Sequence, residues 1–166
     1  MALRIIIDGY NLLNACGSAG DTIEREALVE RLALYKTAKG ARVSVIFDAR
    51  GAITLGGSTT KQKGVEVVFA PRNSDADSVI RAVAEKSGKG LTVVTSDSAL
   101  ACACERLGAV VIGSGEFIKL LDAAEYALLK DMEGDECEDD GRQGKKGPSR
   151  RLSKVERERA KRLKKM

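Results

Sequence analysis

The sequence predicts an α/β three-layer sandwich: a mainly parallel sheet covered by helices on each side, followed by a basic C-terminal tail. Three observations lead there. Strand-like apolar runs alternate with helical patterns along residues 3–130. Those runs carry few polar residues on either face, as parallel strands buried between helix layers do. Charge is sharply segregated beyond residue 130.

The first strand is Leu3 to Asp8, built on Ile5, Ile6 and Ile7. A loop follows, where Gly9 permits a tight turn and Tyr10-Asn11 sit at its mouth. A helix is expected from about Thr22 to Lys39. Asp21 is a natural N-cap, Glu24 stands where a capping box needs it, and Gly40 ends the helix. Leu28, Leu32 and Tyr35 share one of its faces. The second strand runs from Arg42 to about Ala49, and a glycine- and polar-rich connection, Gly51 to Gly64, leads to a third, Val65 to Ala70. The next helix starts near Asp75, buries Ile80, Val83 and Ala84, and stops by Gly88. Leu91 to Ser96 is the fourth strand, and a helix then carries Leu100 to Leu107 up to Gly108. A fifth strand, Ala109 to Ile112, precedes a last helix with Phe117, Leu120, Leu121, Ala124 and Leu128 on one face.

Charge divides the chain into three parts. Residues 1–130 form a near-neutral domain with 16 Lys/Arg against 15 Asp/Glu. Residues 131–140 are an acidic hinge with seven acids and no base, and residues 141–166 a basic tail with 12 Lys/Arg against two Glu. Such a tail, flexible or helical, attracts polyphosphate of any sequence, and Lys145, Lys146, Arg150 and Arg151 are its nucleic-acid-binding candidates. The alternatives are a solubilising terminus or one folded back on the acidic hinge. A helix is possible from Ser153 to Lys165, with apolar positions too sparse to require a core contact. The four cysteines show no metal or disulfide spacing and read as small core residues in a reducing cytosol. The N-terminus enters a strand without a charged-then-apolar leader, and no apolar run approaches a membrane span, so a cytoplasmic location is expected.

The chemistry sits at strand ends. Three apolar runs end in, or lead straight into, Asp8, Asp48 and Asp97, and a fourth leads into Asp75-Ala76-Asp77 at a helix start. In an open parallel sheet, ligands bind at the carboxyl edge of the strands. Carboxylates gathered there repel one another unless a cation sits among them. The chain has no histidine, which removes the usual general base and zinc ligand. What remains is an oxygen-ligand site for Mg²⁺ or Mn²⁺, the chemistry of phosphodiester hydrolysis. Each aspartate also has a plainer reading. Asp8 can serve as a turn residue, Ser96 or Asp97 as an N-cap, and Asp75 and Asp77 as first-turn acids favoured by the helix dipole. Asp75 and Asp77 point about 200° apart on a helix, so only one faces a cleft. Asp77 lies beside the buried face and is preferred as a metal ligand, with Asp75 as cap or outer partner. No GxGxxG, GxxxxGK[ST] or GxSxG motif is present, and Gly113-Ser114-Gly115 reads as a turn plus cap.

Four segments together resemble the NYN domains, a branch of the PIN-like nucleases, and more narrowly their bacterial YacP-like group. They are Ile5-Ile6-Ile7-Asp8-Gly9-Tyr10-Asn11-Leu12-Leu13, Val45-Ile46-Phe47-Asp48-Ala49, Ala76-Asp77-Ser78-Val79-Ile80 and Thr95-Ser96-Asp97. The resemblance covers about residues 3–122 and leaves out the basic tail. It implies a compact α/β sandwich, a divalent-metal site of acidic residues and endonucleolytic cleavage of RNA. It also implies that Asp8, Asp77 and Asp97 bind metal, with Asp75 the candidate fourth acid. Asn11 would orient a ligand or the scissile phosphate, and Asp48 and Ser96 would support the site.

Hydrolysis of this kind leaves 5′-phosphate and 3′-hydroxyl ends and needs no side-chain base. Arg50, Lys61, Lys63 and Arg72 are candidates to hold the strand, and Tyr10 to stack a base or pack at the rim. The expected partner is RNA, including mRNA presented by a ribosome, with no membrane. Two other readings stand beside this one. Phe47-Asp48-Ala49-Arg50-Gly51 also resembles structure-specific DNA 5′-nucleases, although the chain is short for their helical arch. A non-catalytic RNA- or ribosome-binding protein would keep only the tail's function.

Overall fold

A computed structural model describes residues 2–48, 57–133 and 154–163. Six strands form one sheet in the order β3-β4-β2-β1-β5-β6. They are β1 (Arg4–Asp8), β2 (Arg42–Phe47), β3 (Ser58–Gln62), β4 (Val65–Phe69), β5 (Leu91–Val94) and β6 (Val110–Ile112). All neighbours run parallel except the antiparallel β3–β4 pair. The helices are α1 (Gly9–Ala15), α2 (Thr22–Lys39), α3 (Ala76–Ser87), α4 (Ser98–Arg106), α5 (Ser114–Glu133) and α6 (Lys154–Leu163). Side chains alternate across β1: Ile5 and Ile7 join the core with α1, α2 and α5, while Ile6 joins the core with α3 and α4. The result is the expected three-layer sandwich. Among the described residues, no helix is long and apolar enough to cross a membrane.

Local rules account for most elements. Asp21 accepts from the Glu24 N–H at 2.8 Å, and the Glu24 carboxylate accepts from the Asp21 N–H, so α2 starts on a complete capping box. Gly40 ends it in the left-handed conformation, φ 60°. Leu32 and Tyr35 are fully enclosed, with the Tyr35 ring edge-on to Phe117 at 5.2 Å. Burial pushes the Tyr35 phenol up to about 12.

Four expectations need correction. No loop follows β1: helix α1 starts at Gly9 itself, and Phe47 explains the glycine. A Cβ there would lie 2.3 Å from the Phe47 ring. The supposed glycine-rich connection contains strand β3, whose side chains are mostly exposed and therefore carry no apolar alternation. A two-residue turn, Lys63-Gly64, joins it to β4 with both φ angles positive (50° and 81°), as a type I′ hairpin requires. Cys104 is buried while Cys102, two residues before it on α4, points to a different face and is exposed; Cys16, at the end of α1, is exposed too, and Cys137 lies outside the described residues. Finally, α6 does touch the core: Leu163 packs against it, Arg159 pairs with Glu116, and Arg162 donates to the Lys89 and Gly90 carbonyls at 2.7 and 3.2 Å.

Candidate functional site

Strand β1 lies at the centre of the sheet, and successive strands are added first on its β2 side and then on its β5 side. The carboxyl end of β1 is therefore the topological switch point, where an open α/β sheet leaves a crevice. Asp8 occupies that end. Its side chain is 9 % exposed and caps α1 by accepting from the Asn11 N–H at 3.2 Å. Burial, and then the negative charges of Asp77, Asp48 and Asp97, push its pKa up to about 6 against the opposing Asn11 hydrogen bond. Four carboxylates thus share one electrostatic neighbourhood.

Each is placed by a helix start. Asp48, one residue beyond β2, accepts from the buried Ala76 N–H at 2.6 Å and so fixes the head of α3. Asp77 stands in the first turn of that helix, half-buried, with its pKa raised by burial and by Asp97, Asp75 and Asp48. Arg81, one turn on, reaches Asp77 only at 3.9 Å. Asp97 caps α4, accepting from the Leu100 N–H at 2.8 Å. Asp75 is the N-cap of α3: its exposed carboxylate accepts from the Ser78 N–H at 2.8 Å, and hydrogen bonding from the Ser78 side chain, then from that N–H, holds its pKa below the usual range. Its charge raises Asp77, whereas the charges that raise Asp8 are those of Asp77, Asp48 and Asp97.

Asn11 is clamped beside the acids. Its Oδ1 accepts from the Ser96 N–H at 2.9 Å and from the Ser114 hydroxyl at 2.6 Å. A backbone N–H can only donate, so the amide orientation is fixed, and the Asn11 NH₂ group remains to donate to a ligand. Ser114 is fully buried, and its own N–H donates to the Ser96 hydroxyl at 3.0 Å. This residue was missed as a site member. The available signal was its place two residues beyond β6, at the same sheet edge as Asp97.

The cation candidates separate. Arg72 follows β4 and is exposed at the carboxyl edge. Lys61 and Lys63 lie on β3 and in its hairpin turn, at the opposite edge, and Lys63 pairs with Glu30. They do not reach the acidic group, because the hairpin carries them to the amino ends of β2 and β4. Tyr10 packs edge-on against Phe47 at 5.3 Å and its hydroxyl accepts from Arg25 at 3.4 Å. Arg50, the hinge beyond residue 133, and Lys145, Lys146, Arg150 and Arg151 lie outside the described residues.

Residues 5–165 match the family described as the YacP-like NYN domain. The chain is a member of that family. The match extends through the basic tail, further than the residues that carried the resemblance in the sequence. A Bacillus subtilis (strain 168) relative described as uncharacterized protein YacP is 30 % identical over 133 residues, spanning 75 % of this chain and 78 % of that protein. Two crystal structures of Bacillus subtilis Rae1 (YacP) are also similar, each at 25 % identity. A mutant form of Rae1 covers 80 % of this chain and 82 % of its own with a TM-score of 0.68; the other structure covers 78 % and 79 % with a TM-score of 0.63. The family and these neighbours give this NYN chain a PIN-like nuclease fold.

The donor set of this NYN domain suits a hard divalent cation. All four candidate side chains offer carboxylate oxygens, and the upward shifts of Asp8 and Asp77 are what a cation would relieve. Among the described residues, no three acids or cysteines are drawn together into a closed metal cage. Mg²⁺ characteristically uses one or two carboxylates, waters and substrate phosphates instead of an all-protein cage.

Proposed function

We propose that this protein is a divalent-metal-dependent endoribonuclease that hydrolyses RNA phosphodiester bonds to 5′-phosphate and 3′-hydroxyl ends. The observation that carries the reading is Asp8: a buried carboxylate at the switch point that feels the charges of three others, with Arg81, 3.9 Å from Asp77, the one ion-pairing cation at the group among the described residues. Asp8, Asp77 and Asp97 would hold the cation, and Asp75 is placed to act only from outside. A bound Mg²⁺ or Mn²⁺ supplies the Lewis acidity and water activation that this hydrolysis needs. Asp48 holds the head of α3 and thereby places Asp77. Asn11, locked by Ser96 and Ser114, donates its NH₂ to a phosphate oxygen and orients the scissile group. Arg72 is positioned to hold the flanking backbone. With no histidine in the chain, proton transfer falls to water and the carboxylates.

The test is cleavage of a cellular RNA pool with Mn²⁺, with EDTA, and by the Asp8→Asn variant, with a flap DNA in parallel. Discrete RNA fragments with 5′-phosphate ends, lost in both controls, are expected. Preferential flap cleavage would instead assign the fold's DNA chemistry to this chain. Absence of cleavage on free RNA and on translating ribosomes alike would leave a binding protein.

A further inference from the structure

The end of the sheet opposite the acidic edge carries a second charged surface. Strands β1 and β2 open with Arg4 and Arg42, which are register partners on adjacent strands and both exposed. Two strands further on, the exposed Lys61 of β3 faces Glu66 of β4. An open groove of about 670 Å³ is lined by Arg4, Lys36, Arg42, Ser44, Lys61 and Glu66. Its one carboxylate, Glu66, already accepts from the Ser44 hydroxyl at 2.7 Å. The Lys36 ammonium lies over the hairpin turn, so that a Cβ at Gly64 would sit 2.6 Å from it. Arg4 also borders a second groove, of about 1030 Å³, to which α6 contributes Glu158, Lys161 and Arg162. Among the described residues, Arg4, Lys36, Arg42, Lys61 and Lys161 enter no ion pair.

Helix dipoles explain part of this charge. Lys36 and Lys39 sit in the last turn of α2, where cations are favoured. Arg4 and Arg42 have no such reason: they stand side by side on adjacent strands and repel one another in the absence of an anion, with Arg4 donating only to the neutral Ser87 hydroxyl at 3.1 Å, while Lys61 extends the positive row past its register partner Glu66. From β1 to β3 they span three strand spacings, about 14 Å, enough for more than one phosphate. A repeated, evenly charged anion matches that row.

We infer that this amino-terminal edge binds the phosphate backbone of a single-stranded nucleic acid, at a surface separate from the acidic edge. The two are four residues apart along β1, about 13 Å, on opposite ends of the sheet. The surface therefore holds a segment remote from any bond at Asp8. It is independent of cleavage: binding here needs no divalent ion and persists in Asp8→Asn.

Fluorescence anisotropy on the full chain in EDTA, with a labelled 30-nucleotide RNA and the same sequence as DNA, tests it. The Arg4→Gln/Arg42→Gln/Lys61→Gln variant is expected to weaken binding at least tenfold and to lower the slope of log K against log salt by about 2. Arg4→Lys/Arg42→Lys should retain near-native affinity, because point charges suffice for phosphate. If the triple variant fails to fold by circular dichroism, Lys61→Glu on the exposed edge strand serves alone, with a loss of several-fold. Unchanged affinity in the folded variant, or equal binding and equal weakening with polyglutamate, would overturn the inference.

Discussion

The two ends of one parallel sheet carry opposite charge for different physical reasons. At the carboxyl edge, four of the five aspartates have a structural duty: Asp8, Asp75 and Asp97 cap helices and Asp48 anchors one, while Asp77 stands in the first turn of α3. Their negative charge meets helix N-termini, so the local chemistry favours every one of them singly. Burial first, and then the charges of their neighbours, raise the pKa values of Asp8 and Asp77. At the amino edge, helix C-termini favour lysines, but the strand-borne arginines add charge beyond what the helices ask for. Like charges gathered at one edge, compensated among the described residues only in part, are the common sign of a ligand.

The sharpest way to break this contrast is at Asp8. Asp8→Asn should reduce cleavage by at least 10³-fold in a single-turnover assay, an order of magnitude typical for loss of a positioned charge. The same change should stabilise the metal-free protein, since asparagine caps a helix as well as aspartate. The direction with pH follows from proton binding. With a native pKa of about 6 against an ordinary 3.8, the folded state holds more protons than the unfolded state between those values. Stability in EDTA therefore falls as pH rises through that window, and Asp8→Asn should flatten the fall. Thermal melts at pH 5 and pH 7 check it, with a gain of a few degrees expected at pH 7.

A smaller effect separates the acidic edge from its scaffold. Gly9→Ala drives a methyl into the Phe47 ring, which must move, and should cost about 1–3 kcal/mol in denaturant unfolding. Because Gly9 follows Asp8 directly, its cleavage rate should drop as well. Ser114→Ala removes one of the two bonds that orient Asn11 and should cost about 1–2 kcal/mol of transition-state stabilisation. The loss should appear in kcat with KM nearly constant, whereas a merely structural role would leave both unchanged in the folded protein. Smallest of all, Arg162→Ala frees α6 from the Lys89 and Gly90 carbonyls and should lower stability by about 1 kcal/mol or less. Its salt-dependent loss of nucleic-acid affinity would tie α6 to the basic edge.

How much of this was legible depended on whether a signal was local. The α2 boundaries were, because Asp21, Glu24 and Gly40 are punctuation that works through neighbouring backbone. The placement of Asp8 at the end of β1 was, because the apolar run ends abruptly there; β5 stops at Val94 instead of Ser96, and Asp97 caps α4 three residues further on. Helix α1 was not, since its glycine start answers to Phe47, 38 residues away in sequence. Strand β3 was not, since an exposed edge strand has no apolar period. The same omission affects Lys61 and Lys63: a glycine-rich loop could carry them to the aspartates, whereas the β3–β4 hairpin holds them at the opposite edge. Ser114 escaped because its role is made by contact across the sheet edge, and Ser-Gly before a helix reads as an ordinary turn.

Mn²⁺ binding tests the account of the acidic edge most directly. Isothermal titration of Mn²⁺ into the wild-type chain and Asp8→Asn, at pH 7 and without RNA, reads the cation apart from any substrate requirement. Saturable binding to the wild type, weakened at least tenfold in Asp8→Asn, is the predicted result. Equal binding by both proteins, or none by the wild type in the presence of RNA as well, would contradict it.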